Sequence, residues 1–258
     1  MICAGIDAGS RTIKVVLIDT DSLEIVGKGL ADQGVEQDKL AMGLLKRVLK
    51  SSGVSRKDVA AIVATGYGRN AVTIADTTVT EITCHAVGVH RLVPKARTVI
   101  DIGGQDSKLV RLDGAGKVRD FAMNDRCAAG TGRFLEVTAR RLGVELDALG
   151  QLAAGSRRPA AISSMCVVFA ETEITGLLAC GTGREDIVAG VQSAIASRIV
   201  GMAGRSVEPP IVFTGGVAMV SGMTAALQTA LGQAVSVAPE PQMTGALGAA
   251  ILATAVNP

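Results

Sequence analysis

The feature that most constrains the fold is a pattern that occurs twice in the chain. IDAGSRTIK (6–14) and IDIGGQDSK (100–108) both read IDxGxxxxK. Residues rich in Ile and Val flank each copy, which predicts two strands joined by a tight glycine turn. A duplication with a spacing of about ninety residues predicts an α/β protein built from two similar lobes.

Apolar spacing along the rest of the chain predicts the elements that complete these lobes. Strands are expected at 2–8, 13–19 and near 24–30, at the start of 59–70, and at the start of 211–218, where the strand runs into a Gly-Gly turn. Helices are expected at 37–50, 131–142, 167–179, 187–203 and 245–253. No flexible linker separates the two halves, so we expect a tight interface between them. Lobe I is predicted to comprise 1–97 with a C-terminal helix at 244–258, and lobe II to comprise 98–243.

Three glycine turns after apolar strands predict a nucleotide site. Glycine lets the backbone approach a ligand closely, and unpaired N–H groups in such turns form nests for anions. The first two turns, if they face each other, make a cleft for a polyphosphate, while the third approaches the sugar and base. The predicted nucleotide contacts are Gly9, Ser10, Arg11, Thr12, Lys14, Gly103, Gly104, Gly215 and Gly216.

Acidic residues at the ends of the repeated strands predict phosphoryl chemistry. An aspartate in this position can hold Mg²⁺ through water or orient the attacking water. Asp7 and Asp101, with Gln105 in the second turn, are therefore the predicted catalytic residues. Each turn taken alone is typical of an ordinary hairpin, so the prediction depends on the three turns together. The pattern is neither a Walker A motif nor GxGxxG.

Two of the five cysteines precede predicted helices. Cys127 lies before Gly130-Thr131-Gly132, and Cys166 before the helix at 167–179. The positive end of a helix lowers the pKa of a thiol and favours an anionic ligand, and an iron–sulfur cluster usually takes four thiolates. A homodimer would supply four ligands from two such cysteines. Tetrahedral zinc fits the same ligands, and two structural thiols are the simplest alternative.

Composition excludes several other classes of protein. Aromatic residues make up 2% of the chain and Trp is absent, which argues against stacking on single-stranded nucleic acid. A formal net charge of +2 does not favour DNA or an anionic membrane surface. Asp7 interrupts the first apolar stretch too early for a secretory signal, and no apolar run reaches transmembrane length. We therefore expect a cytoplasmic protein without nucleic-acid or membrane partners.

Nine stretches between residues 5 and 251 together resemble the activator ATPases of 2-hydroxyacyl-CoA dehydratases. These ATPases, also called archerases, are grouped with the ATPase subunits of benzoyl-CoA reductases. The stretches are GIDAGSRTIKVVLID, ATGYGRN, EITCHAVG, VIDIGGQDSK, NDRCAAGTGRFLE, ISSMCVVFAETEI, ASRIVG, FTGGVA and GALGAAI. One departure is Arg11, where relatives often carry Ser or Thr, and this weakens the transfer of a phosphate contact to that position.

The resemblance implies an actin-like (ribonuclease H-like) fold with ATP and Mg²⁺ between two lobes. It also implies a homodimer with one [4Fe–4S] cluster between the subunits, ligated by Cys127 and Cys166. On this hypothesis a reduced ferredoxin or flavodoxin is the electron donor. ATP hydrolysis then drives the electron onto a partner dehydratase or reductase.

Alternatives within and outside this family stay open at this point. The acceptor could be a benzoyl-CoA reductase or a double-cubane cluster reductase. From another class, an actin-like sugar or acyl kinase would need a catalytic carboxylate beside a substrate pocket but neither cysteine. A nucleotide-sensing protein would bind ATP without turnover.

Overall fold

The computed structural model describes residues 1–163, 166–204 and 207–256. Ser164 and Met165 of the ISSMCVVFAETEI stretch, and residues 257–258 of the predicted C-terminal helix, lie outside these ranges. The chain forms two compact units. Unit 1 contains residues 1–96, 112–120 and the chain from Ala238 onward, and unit 2 contains 97–111 and 121–237.

Ten strands and eight α-helices make up the described chain. The strands are β1 Ile2–Ala8, β2 Thr12–Asp19, β3 Ile25–Asp32, β4 Val59–Thr65, β5 Thr77–Thr78, β6 Thr98–Ile102, β7 Ser107–Leu112, β8 Val118–Asn124, β9 Ile211–Thr214 and β10 Val235–Val237. The helices are α1 Gln37–Ser51, α2 Glu81–Leu92, α3 Gly132–Leu142, α4 Leu149–Ala154, α5 Val167–Ala179, α6 Arg184–Ala203, α7 Met223–Leu231 and α8 Thr244–Ala253. Within these ranges no helix is both long enough and apolar enough to cross a membrane.

The two five-stranded sheets have the same topology. Their orders are β3-β2-β1-β4-β5 and β8-β7-β6-β9-β10. In each sheet the first strand pairs antiparallel with the second and parallel with the fourth of its own set, as β1 does with β2 and β4, and β6 with β7 and β9. The prediction of a duplicated α/β architecture is therefore confirmed.

Helices cover both faces of the unit 1 sheet. Residues alternate between the faces of a strand, so Ala4 and Ile6 of β1 join a core with Leu44 and Val48 of α1. Cys3 of β1 joins a second core with α2 and α8. The unit 2 sheet packs its apolar residues against α3, α5, α6 and α7 in one continuous core.

Helix α8 packs unusually close to its neighbours because glycines line the contacts. A β-carbon on Gly5 would meet the backbone of Ala246 and Ala250, and one on Gly88 would meet the carbonyl of Thr244. A β-carbon on Gly248 would meet the carbonyl of Cys84 in α2. These missing side chains bring the first residues of α8 beside the end of β1.

We expect Gly248→Ala to destabilise the protein, because its methyl group would overlap backbone that cannot move aside. The expected loss in free energy of unfolding is about 3 kcal/mol, at the upper end of the usual cost of overpacking. Gly43→Ala in α1 is the matched control, since the nearest atom to its β-carbon is 3.8 Å away. There we expect a gain of about 0.5–1 kcal/mol from helix propensity. Urea unfolding measures both, and equal stability of the two variants would contradict the close packing.

Candidate functional site

The first glycine turn connects β1 to β2 at the end of a buried strand. Asp7 lies opposite Lys14 in the β1–β2 register, and Lys14 Nζ is 3.1 Å from Asp7 Oδ2. The N–H of Gly9 donates to the carbonyl of Thr12 at 3.1 Å, which closes the turn. Asp7 is buried, Ser10 half-buried and Arg11 exposed at the tip. The structure thus brings the predicted residues of the first turn around one carboxylate and one ammonium group.

Two further segments of unit 1 fix this turn from the side. Gly66 has a φ of +93°, and a β-carbon there would lie 2.6 Å from Asp7 Oδ1. The N–H of Gly68 donates to the carbonyl of Ala8 at 2.8 Å, and Gln33 Nε2 donates to the carbonyl of Gly9 at 2.9 Å. Sequence reasoning missed these supports, although Gly66 and Gly68 belong to the quoted ATGYGRN stretch.

The second glycine turn, in unit 2, repeats the first with one change in its electrostatics. Asp101 faces Lys108 in the β6–β7 register, and Lys108 Nζ is 3.3 Å from Asp101 Oδ2. The same ammonium group is 2.5 Å from Asp106 Oδ2 and is only 1% exposed. Lys14 has one carboxylate partner within salt-bridge distance and is 14% exposed. The positive charge of Lys108 is thus balanced by two carboxylates inside the protein, whereas the ammonium group of Lys14 is more accessible to a ligand.

The backbone of the second turn is bonded to the start of α3. Gly103 N–H donates to the carbonyl of Asp106 at 2.9 Å. The carbonyls of Gly103 and Gly104 accept the N–H groups of Gly132 and Arg133, both at 2.9 Å. Gln105 is exposed at the tip. Main-chain hydrogen bonds therefore join the second turn to the first residues of α3.

The third turn follows β9, which pairs with β6, and it lies beside Asp101. Gly215 has a φ of +89°, and a β-carbon there would lie 2.6 Å from Asp101 Oδ1. Gly216 begins a short 3₁₀ turn, Gly216–Met219. Unit 2 therefore brings the second and third predicted turns together at one carboxylate.

Cys127 is half-buried and sits in a well-defined backbone turn. Asn124 Oδ1 accepts the Cys127 N–H at 3.0 Å, and Asn124 Nδ2 donates to the Cys127 carbonyl at 2.8 Å. A 3₁₀ turn, Ala128–Gly130, follows, and Thr131 caps α3 by accepting the N–H of Arg133. Cys127 thus begins the 3₁₀ turn, and the helix predicted at 131–142 follows as α3, one residue later than predicted because Thr131 is its cap.

Cys166 is exposed and is the N-cap residue of α5. Cys127 and Cys166 are thus both accessible to a ligand. Cys3 and Cys84 differ, because burial raises the pKa of both thiols, that of Cys84 to about 12. Cys180 is exposed but caps the opposite, negative end of α5. Of the three accessible thiols, those of Cys127 and Cys166 thus precede a helical turn.

A single chain does not supply a complete metal site from its described residues. Across those ranges no cluster of three or more His, Cys, Asp or Glu side chains has the geometry to hold a metal ion. Val168 and Phe169, the second and third residues of α5, are each 69% exposed. The exposed thiol of Cys166 therefore lies within three residues of two exposed apolar side chains.

Comparison with known proteins gives matches over almost the whole chain. The model of the BadF/BadG/BcrA/BcrD ATPase family matches residues 4–253. The activator of lactoyl-CoA dehydratase from Anaerotignum propionicum is 45% identical, over 98% of this chain and 97% of that protein. The structure of the activator of the 2-hydroxyisocaproyl-CoA dehydratase from Clostridium difficile with bound ADPNP has a TM-score of 0.93 at 39% identity. It covers 99% of this chain and 95% of that one.

More distant structures share the fold alone. A ROK family glucokinase from Streptomyces griseus, in complex with glucose and AMPPNP, has a TM-score of 0.60 at 14% identity. It covers 98% of this chain and 99% of the glucokinase. The same two-lobe fold therefore occurs in a glucokinase.

Proposed function

The chain belongs to the BadF/BadG/BcrA/BcrD ATPase family, with a two-lobe actin-like α/β fold, and from this premise we propose that it is an ATP-driven electron-transfer activator. It hydrolyses ATP to ADP and phosphate, and it passes a low-potential electron from reduced ferredoxin or flavodoxin to a partner 2-hydroxyacyl-CoA dehydratase. The acyl groups named for the two relatives, lactoyl and 2-hydroxyisocaproyl, support this class of partner.

The observation that carries the proposal is the backbone link between the second glycine turn and α3. Two hydrogen bonds join Gly103 and Gly104 to Gly132 and Arg133, only five residues after Cys127. Phosphate bound or released at this turn would displace the segment that carries the thiol. An ATPase needs such a connection to change the surroundings of an electron carrier, whereas a sugar or acyl kinase does not.

We propose that residues at the tips of the turns bind the phosphates and that the two carboxylates take part in hydrolysis. Gly9 and Gly103 use their own N–H groups to close their turns. Ser10 and Gly104, one residue further on, are then the first groups available to phosphate oxygens. Lys14 supplies a compact positive charge for the phosphates. Asp7 and Asp101 orient the attacking water and hold water on Mg²⁺.

Cys127 and Cys166 of two identical chains are proposed to provide four thiolate ligands. When bound there, a [4Fe–4S] cluster supplies one-electron transfer at a potential set by charge, hydrogen bonding and exposure. Val168 and Phe169 support a homodimer, because a second chain would cover apolar side chains that are costly to leave in water. Zinc fits the same thiolates but carries no electron, so the proposed activity requires iron.

Anaerobic purification tests the proposal directly. We expect a brown dimer with four iron and four sulfide ions per two chains, the stoichiometry of a [4Fe–4S] cluster. Mixed with dithionite-reduced ferredoxin, ATP and a 2-hydroxyacyl-CoA dehydratase, it should activate the dehydratase, and omission of ATP should abolish activation. A colourless monomer that phosphorylates sugars or acyl groups would overturn the proposal in favour of the kinase. A zinc-containing protein that hydrolyses ATP without activating the dehydratase would also overturn it.

A further inference from the structure

We propose that His85 is a positioning residue for the Asp7 carboxylate, a role that rests on the proposed ATPase function. His85 lies in the middle of α2 and is buried. The close packing of α2 against α8 at Gly88 and Gly248 brings its ring to the first residues of α8. It is one of only two histidines in the chain.

One edge of the His85 ring is fixed by a hydrogen-bonded chain. His85 Nδ1 lies 3.0 Å from Thr244 Oγ1, and the Thr244 hydroxyl donates to the carbonyl of Pro241 at 3.3 Å. Thr244 is itself fully buried. This bond orients the ring and leaves its opposite edge, Nε2 and Cε1, pointing away from Thr244.

That opposite edge and the Asp7 carboxylate converge on Gly245. A β-carbon on Gly245 would lie 3.1 Å from His85 Nε2 and 3.2 Å from Asp7 Oδ2. Lys14 Nζ meets the same carboxylate oxygen at 3.1 Å. Asp7 Oδ2 thus contacts a lysine ammonium, and it shares the space in front of Gly245 with the imidazole edge of His85. A side chain at 245 would enter this space and press on both groups.

Confinement matters because a rotated carboxylate no longer points at the reacting water. Groups that hold a catalytic or metal-binding carboxylate in place are worth about 10- to 100-fold in activity when they are removed. The histidine is then a positioning residue rather than a catalytic one, and its effect should appear in kcat and not in the affinity for ATP.

Two substitutions separate positioning from a structural role. His85→Asn keeps an amide near Nδ1, which can still bond to Thr244, but removes the Nε2 edge. We expect kcat for ATP hydrolysis to fall about 10- to 100-fold with KM for ATP unchanged. His85→Gln places an amide near Nε2 and should recover part of the rate. His90→Asn, on the same helix, is the control and should retain the rate and a similar melting temperature.

Nuclear magnetic resonance of the two imidazole rings provides a readout that does not depend on turnover. Asp7→Asn should shift the ring resonances of His85 and leave those of His90 in place. If wild type hydrolyses ATP but His85→Asn matches it in kcat, or if Asp7→Asn leaves the His85 ring signals unmoved, the inference is overturned while the proposed function stands. If wild type shows no ATPase activity in any redox state, the proposed function fails.

Discussion

Replacing Cys127 or Cys166 by serine is expected to abolish dehydratase activation while ATP binding persists. In a symmetric dimer one substitution removes two of the four proposed thiolates. A serine hydroxyl is a hard and barely acidic group, whereas iron–sulfur clusters are held by soft thiolates. We expect loss of the brown colour, an iron content near zero and a more than hundredfold fall in activation, above the usual cost of changing an outer-shell residue.

Cys180→Ser is the matched control for both variants. Cys180 is exposed like Cys166 and lies at the other end of the same helix, α5. It should keep its iron, its colour and full activation. Retention of the cluster spectrum by Cys127→Ser or Cys166→Ser would show that the ligands are other residues. Loss of colour in the Cys180 variant as well would indicate general destabilisation of α5.

The second large effect is expected for Asp7→Asn, which should reduce the rate of ATP hydrolysis by at least about a hundredfold. A loss of this size is typical when an enzyme loses a group that orients or deprotonates the attacking water. The amide has the same shape but no charge, so it attracts Lys14 less and holds water less strongly. The fold should persist, since asparagine can still contact Lys14 through its carbonyl oxygen. Steady-state phosphate release measures the rate, and circular dichroism checks the fold.

Asp76→Asn provides the comparison for this carboxylate. Asp76 is also in unit 1, and its Oδ2 accepts the N–H of Ile62 at 2.7 Å, a structural contact in the middle of β4. An asparagine oxygen can replace that acceptor, so the rate should remain close to wild type. If Asp7→Asn retained full ATPase activity, the first turn would have to bind phosphate without taking part in hydrolysis.

The sequence predicted those strands and helices that are determined by a local pattern of residues. The repeated IDxGxxxxK stretches predict the two hairpins, and the helix predicted at 167–179 is confirmed as Val167–Ala179. The helix predicted at 187–203 begins earlier, at Arg184, because Glu185 and Asp186 in its first turn give no apolar periodicity. The strand predicted to run into the Gly215-Gly216 turn is confirmed as Ile211–Thr214, and Gly215 adopts a positive φ.

The surroundings of the candidate site could not be predicted in the same way. His85 meets Thr244 across 159 positions of sequence, and only tertiary packing brings them together. Lys108 differs from Lys14 in having one extra carboxylate partner, Asp106. The spacing of residues in the sequence does not show that this carboxylate contacts the lysine. Helix α2 was not predicted either, because Cys84, His85 and Gly88 interrupt its apolar pattern.

The main-chain bonds from Gly103 and Gly104 to the start of α3 also limit how the protein can be recombined. A chimaera that imports the Asn124–Leu142 region of a relative but keeps this chain's own β6–β7 turn would join two halves of one bonded unit. Such hybrids should retain coupling only when both pieces come from the same parent. The crossover points for a functional shuffled library therefore lie before β6 and after α3.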